Sequence, residues 1–223
     1  MVAAIWGVVA LGGLLAWYAA DLPDLEEALQ PTRRPAITVL ASDGTLLATL
    51  GDFYGRPLAV HDLPPDLPHA VLAVEDRRFY NHFGLDPFGL VRALFVNLRA
   101  GSVVQGGSTI TQQAAKNLFL SHERTIKRKV QELLLALWLE RRFSKDQILA
   151  MYLNRVYLGS GTYGVDAAAR KYFGRSATQV NTYQAAMLAG MLKAPSRLNP
   201  LSDPRQAQER AREVLEIMVD AGF

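Results

Sequence analysis

Two acidic residues and a run of cations define the chemistry this sequence could perform. Glu75 ends the apolar run Val71-Leu72-Ala73-Val74 and opens the polar cluster Glu75-Asp76-Arg77-Arg78-Phe79-Tyr80-Asn81-His82. A carboxylate part-shielded by Val71, Val74 and Phe79 has a raised pKa, because burial disfavours its charged form. A raised pKa suits a general base working near neutral pH. The competing reading is a helix-end acid paired with Arg77 or Arg78. Glu132 follows Arg128 by one turn and Lys129 by three residues, so the three can share a helix face. That spacing also describes an ordinary surface ion pair. However, it opens the most apolar helix in the chain, where a charge is either well partnered or functional.

Lys116, Arg124, Lys127, Arg128 and Lys129 lie close together in the chain. Such a cluster can bind diphosphate, nucleic acid or anionic headgroups. No nucleic-acid motif accompanies it, so nucleic acid is not the expected partner. A pyrophosphate leaving group fits better, because fixed cations stabilise the charge that develops on it. The intervening stretch, Gly106-Gly107-Ser108-Thr109-Ile110-Thr111-Gln112-Gln113-Ala114-Ala115-Lys116-Asn117, reads as a glycine turn entering a polar helix. Ser108, Thr109, Thr111, Gln112 and Gln113 supply the neutral hydrogen-bonding groups that sugars need.

The elements that must position these residues read as mostly helical. With 223 residues the chain can bury one sizeable core. Its net charge of +3 permits anionic partners without demanding nucleic acid. The absence of cysteine excludes disulfides and thiolate metal sites. Residues 1–20 carry no charged side chain and predict a transmembrane helix, with Trp17 and Tyr18 at its far interface. Residues 21–35 form a connector, and 36–223 a single domain. Strand-like runs over 37–40 and 45–50 flank the turn Ser42-Asp43-Gly44 and predict a hairpin; 52–68 reads as loop. Asp66 is expected to cap a helix ending near Glu75, and Ser121 to precede a long helix buried all round over 133–139. Ser144 and Gln147 form a capping box for a helix over 145–154. Residues 159–164 read as a glycine-rich connector, and 165–172, 181–192 and 204–221 as further helices. Over 88–98, Phe88, Leu90, Val91, Leu94, Phe95, Val96 and Leu98 are either core or exposed apolar surface.

The ordered set of motifs resembles the bacterial peptidoglycan glycosyltransferase domain of class A penicillin-binding proteins and monofunctional cell-wall transglycosylases. Five stretches carry the resemblance: 75–80, 106–117, 128–132, then Lys145-Asp146-Gln147-Ile148-Leu149 with Tyr152-Leu153-Asn154, and Ala185-Ala186-Met187-Leu188-Ala189-Gly190 with Pro195 and Pro200. The resemblance covers nearly everything from Ile37 onward. Two departures are Ala114, where leucine is more usual, and Asp166, where glutamate is common.

The resemblance implies a mainly α, lysozyme-like helical fold with a small β-hairpin near the N-terminus. It implies polymerisation of lipid II into β-1,4-linked glycan with inversion, releasing undecaprenyl pyrophosphate. Glu75 would take the proton from the acceptor's 4-hydroxyl. Glu132 would either orient the site or help hold a divalent cation (Mg2+ or Mn2+) near the phosphates. Lys116 and Arg124 would meet the donor pyrophosphate. Asp76, Phe79, Ser108, Thr111, Gln112, Gln113, Asn117, Arg128 and Lys129 complete the substrate-binding set. The implied partners are lipid II, the growing glycan strand, the bilayer and other cell-wall synthesis proteins. The implied location is the bacterial cytoplasmic membrane, single-pass, with the catalytic domain on its outer face. The end of the chain, 207–223, resembles the helix that leads into the linker of the bifunctional proteins. No Ser-x-x-Lys penicillin-reactive motif occurs, and a monofunctional enzyme has roughly this size; the terminal helix favours reading the sequence as part of a bifunctional protein with a C-terminal transpeptidase domain.

Overall fold

Ser, Thr, Asn and Asp residues placed just before apolar-periodic runs start most of the helices that frame the site. Their side-chain oxygens satisfy backbone N–H groups that the first turn leaves without partners. The computed structural model describes residues 2–22, 37–43, 46–50, 53–102, 106–121, 123 and 125–223. Its helices are α1 (Val2–Ala20), α2 (Asp66–Glu75), α3 (Pro87–Ala100), α4 (Ile110–Phe119), α5 (Ile126–Arg142), α6 (Lys145–Arg155), α7 (Val165–Phe173), α8 (Thr182–Met191) and α9 (Pro204–Ala221). Thr109, Ser144 and Asn181 each close a capping box with a glutamine three residues on.

Two expected caps are corrected. Pro65, not Asp66, precedes α2, and the Asp66 carboxylate instead accepts a hydrogen bond from Thr182 Oγ1 on α8. Thr125, not Ser121, caps α5, accepting from Arg128 N at 3.1 Å. In both cases a nearer residue or a long-range partner decides what short-range pattern left open.

The core lies where α2, α8 and α9 pack on one another and α4 packs on α5 and α6. Leu67, Phe79, Ile110, Leu135, Leu139, Ile148, Leu149, Tyr152 and Leu188 are among its fully buried side chains. Along 133–139, Leu135, Ala136 and Leu139 are buried, whereas Leu133, Leu134, Leu137 and Trp138 keep partial exposure, so burial there is not all-round.

The hairpin forms as expected from strands β1 (Ile37–Leu40) and β2 (Leu46–Leu50), antiparallel, with Ile37 opposite Leu50. Gly44, assigned to its turn, lies outside the described residues, as does most of the 21–35 connector. Two short strands were not expected. β3 (Phe53–Tyr54) pairs in parallel with β4 (Thr162–Tyr163), so parts of the 52–68 and 159–164 loops are joined. The glycines there are demanded by the backbone: Gly164 has φ +85°, and a Cβ on it would meet the Asn154 carbonyl oxygen at 2.6 Å. Asn154 in turn accepts from Leu58 N at 3.0 Å and donates to Leu58 O at 2.8 Å.

The expected transmembrane anchor is corrected. Among the described residues, no helix is long and apolar enough to cross a membrane. The C-terminal end of α1 is committed to protein. Tyr18 O accepts from Gln131 Nε2 of α5 at 3.3 Å, and Asp21 pairs with Lys127. The single-pass placement in a bacterial cytoplasmic membrane falls with it.

The open choice over 88–98 is resolved toward surface. Phe88, Val91, Leu94, Phe95 and Leu98 are all more than 60% exposed on α3, and Ala93 is the helix's buried residue.

Candidate functional site

Glu75 is the last residue of α2, where the chain leaves the helix. The next residue, Asp76, fixes what Glu75 meets. Asp76 Oδ2 accepts from Ile110 N, the first N–H of α4, at 3.1 Å, and both its carboxylate oxygens lie 3.0 Å from His82 Nε2. Thr109 adds a second clasp, donating from Oγ1 to Gly84 O at 2.7 Å. These bonds hold the start of α4 against the end of α2. One turn into α4, Gln113 Nε2 then donates to Glu75 Oε2 at 2.6 Å.

Burial raises the Glu75 pKa above the usual 4.5. The Gln113 hydrogen bond and the charges of Arg210 and Lys116 oppose that rise, and the neighbouring Asp76 adds to it. The reading of Glu75 as a helix-end acid paired with an adjacent arginine does not hold. Arg77 Nε donates to Ala73 O at 3.2 Å, and Arg78 faces Asp86 at 3.9 Å with its guanidinium 4.8 Å from the Phe88 ring centre.

Glu132 sits one turn into α5 and is 3% exposed. Lys129 Nζ meets its Oε2 at 2.9 Å, and Arg128 meets its Oε1. The same Lys129 Nζ donates to Ser108 Oγ at 2.9 Å, tying the glycine turn to α5. Burial, followed by the charge of Arg128, depresses the pKa values of Lys116 and Lys129. Lys116 interacts electrostatically with both Glu75 and Arg128, so it links the carboxylate at the end of α2 with the cations of α5. A dianionic ligand placed there would favour the charged form of both lysines.

A cleft of about 600 Å3 opens beside Glu75. Glu75, Asp76, Ser108, Thr109 and Gln113 line it from α2 and the glycine turn. Lys193, Arg210, Arg77 and Arg92 also line it.

The other expected site residues divide by position. Phe79 is fully buried, edge-on to Tyr80 and His82, with Lys145 Nζ 4.4 Å from its ring centre. Thr111 is buried and donates to Glu140 Oε1 at 2.6 Å, and Gln112 closes the α4 capping box. These three and Asp76 hold the framework. Asn117 is half-buried on α4 next to Lys116. Arg124 lies outside the described residues.

Sequence reading missed Arg210 and Tyr152. Arg210 sits in a charged terminal helix whose sequence gives no functional signal; α9 reaches Glu75 only because it packs against α2. Tyr152 is in a core-forming run, and its hydroxyl donates to Gln113 Oε1 at 3.3 Å.

Among the described residues no three His, Asp or Glu side chains converge on a common point. Glu132, the one carboxylate among the α5 cations, already has a cation at each oxygen.

The family model described as Transglycosylase matches residues 43–219. The chain is similar to penicillin-binding protein 1A of Aquifex aeolicus (strain VF5), 46% identical over 91% of this chain and 28% of that protein. It is also similar to penicillin-binding protein 1A of Vibrio cholerae, 41% identical over 100% of this chain and 27% of that protein. The Escherichia coli (strain K12) penicillin-binding protein 1A is 42% identical over 97% of this chain and 26% of that protein. The chain thus spans about a quarter of the length of these relatives. With the family model matched over most of its length and relatives more than 40% identical across it, the chain belongs to the transglycosylase family.

Proposed function

We propose that this chain is a peptidoglycan glycosyltransferase that polymerises lipid II into β-1,4-linked glycan with inversion, releasing undecaprenyl pyrophosphate. The observation that carries this reading is Glu75: a carboxylate of raised pKa at a cleft wall, held by Gln113 and flanked by Lys116. Glu75 takes the proton from the acceptor sugar's 4-hydroxyl as that oxygen attacks the donor's anomeric carbon. The bond from that carbon to the diphosphate oxygen breaks, and the electron pair stays on the diphosphate. Lys116, Arg128 and Lys129 stabilise the anion as it leaves. The leaving group departs as an anion, so a strong general acid is less necessary, and the paired-carboxylate geometry of hydrolases is not the relevant template. Glu132 orients Arg128 and Lys129. The exposed apolar face of α3 is proposed to take the substrate's lipid chain. Similarity to penicillin-binding protein 1A supports a C-terminal transpeptidase domain in the whole protein and cell-wall synthesis proteins as partners.

Product analysis tests the reading. Incubation with purified lipid II should yield long glycan and free undecaprenyl pyrophosphate. A hydrolase using Glu75 as acid would shorten polymeric glycan and leave lipid II untouched, and that outcome would sink the proposal.

Arg210 supplies a second test. Its charge favours the ionised form of Glu75. Arg210→Ala should raise the Glu75 pKa further. The base is active when ionised, so the acidic limb of the pH–rate profile should move to higher pH, and less so in high salt. An unmoved limb at low salt would remove Arg210 from the site's electrostatics.

A further inference from the structure

The geometry points to Tyr152 as a positioning residue that fixes the orientation of the Gln113 amide and thereby which face of the Glu75 carboxylate is free to accept a proton; this rests on the reading of Glu75 as the base. Gln113 sits between the two, its Nε2 2.6 Å from Glu75 Oε2 and its Oε1 3.3 Å from the Tyr152 hydroxyl. A primary amide can turn over and exchange its oxygen and nitrogen with little change of shape. What prevents this here is the phenol. Tyr152 is fully buried on α6, and burial with the nearby Glu75 charge keeps its hydroxyl protonated. A buried O–H needs an acceptor. Gln113 Oε1 is that acceptor, so the Nε2 end must face Glu75.

The turned-over amide would put its oxygen against the carboxylate oxygen and favour the protonated acid. With the amide locked, Oε2 is engaged by Gln113 and Oε1 is left for the acceptor hydroxyl. The other charged groups facing Glu75 are Arg210 from α9, Lys116 from α4 and the adjacent Asp76. None of them contacts the Gln113 amide, so the lock belongs to Tyr152.

The test is Tyr152→Phe in the full chain, which keeps the ring in the core and removes one hydroxyl. kcat is expected to fall about fivefold, the worth of one neutral hydrogen bond, with KM changed less than about twofold. Carbon-13 carboxyl NMR, with the Glu75 signal assigned by its loss in Glu75→Gln, should show the Glu75 midpoint rising by about half a pH unit or more. Gln113→Met should raise it as well, and adding Tyr152→Phe to Gln113→Met should change nothing further. An unchanged midpoint in Tyr152→Phe, or shifts that add in the double variant, would overturn the proposal. Should Tyr152→Phe fail to fold, Gln113→Met decides alone, since an unchanged midpoint there breaks the link through which Tyr152 acts. Activity retained in Glu75→Gln would instead remove the base assignment, while the titration would still report whether Tyr152 governs that carboxylate.

Discussion

Glu75→Gln should lower the rate of glycan polymerisation by about 100-fold to 10,000-fold, the usual worth of a positioned base. Its melting temperature at neutral pH should be equal to or above that of the parent chain. The two effects share one cause. The Glu75 pKa in the fold lies above its ordinary 4.5, chiefly through burial. The protonated carboxyl therefore favours the folded state, and that stability is present below about pH 4.5 and lost as pH rises through the folded-state value. Above the folded-state value the parent chain carries the cost of an ionised, buried carboxylate, and below it the carboxyl is neutral as glutamine is. Glutamine is neutral at every pH and its carbonyl can still accept from Gln113 Nε2, so the variant loses the base without losing the contact. Rates are to be read with purified lipid II, and stability by thermal melts at pH 4 and pH 7. Parent-like polymerisation by a folded Glu75→Gln chain would retire the base assignment.

Arg128→Ala and Lys116→Ala should fail in different ways. Glu132 is 3% exposed and relies on Arg128 at one oxygen and Lys129 at the other. Removing Arg128 leaves a buried carboxylate with a single, half-exposed cation. The loss should be on the order of 1–3 kcal/mol, below the cost of leaving a buried charge with no partner at all. In a chain of this size each kcal/mol moves Tm by roughly 2–4 °C. Catalysis should fall too, because the role proposed for Arg128 is to stabilise the leaving diphosphate. Lys116 makes no such structural contribution. Burial and the Arg128 charge already depress its pKa, so its charged form is disfavoured before substrate arrives. Lys116→Ala should keep or slightly raise Tm, lower polymerisation by about 100-fold or more, and weaken binding of a lipid-diphosphate analogue. Melting temperature, rate and analogue affinity at two salt concentrations separate these outcomes from a diffuse basic patch. If both substitutions acted equally and moderate salt abolished the difference from the parent, direct diphosphate contact would be lost as an explanation.

Neighbouring residues of one motif meet different partners in the fold. Phe79, Thr111 and Gln112 stand within the same motifs as Glu75 and Lys116, and sequence cannot say which side of a turn faces the cleft. Phe79 enters the core, Thr111 donates to Glu140 and Gln112 closes a cap. Gln113, one position on, reaches Glu75 because the Asp76–Ile110 bond sets the register of α4 against α2. A residue's duty changes between neighbours when a helix turns about 100° per residue.

By itself, the sequence determined the local elements and the chemical kinds present. Side-chain caps and apolar periodicity placed α6, α7, α8 and α9 within a residue or two, because those signals act over one or two turns. The spacing of Arg128, Lys129 and Glu132 foretold their ion pairs for the same reason: the contact lies within one helix. Only the tertiary structure decided what crosses between elements. It brought Arg210 to the cleft from a terminal helix, buried Tyr152 behind Gln113 and joined β3 to β4. It also docked the end of α1 on α5, where composition had pointed to a membrane span. Contacts between residues distant in the chain depend on how helices pack, and packing is set by the whole buried surface rather than by any short stretch of it.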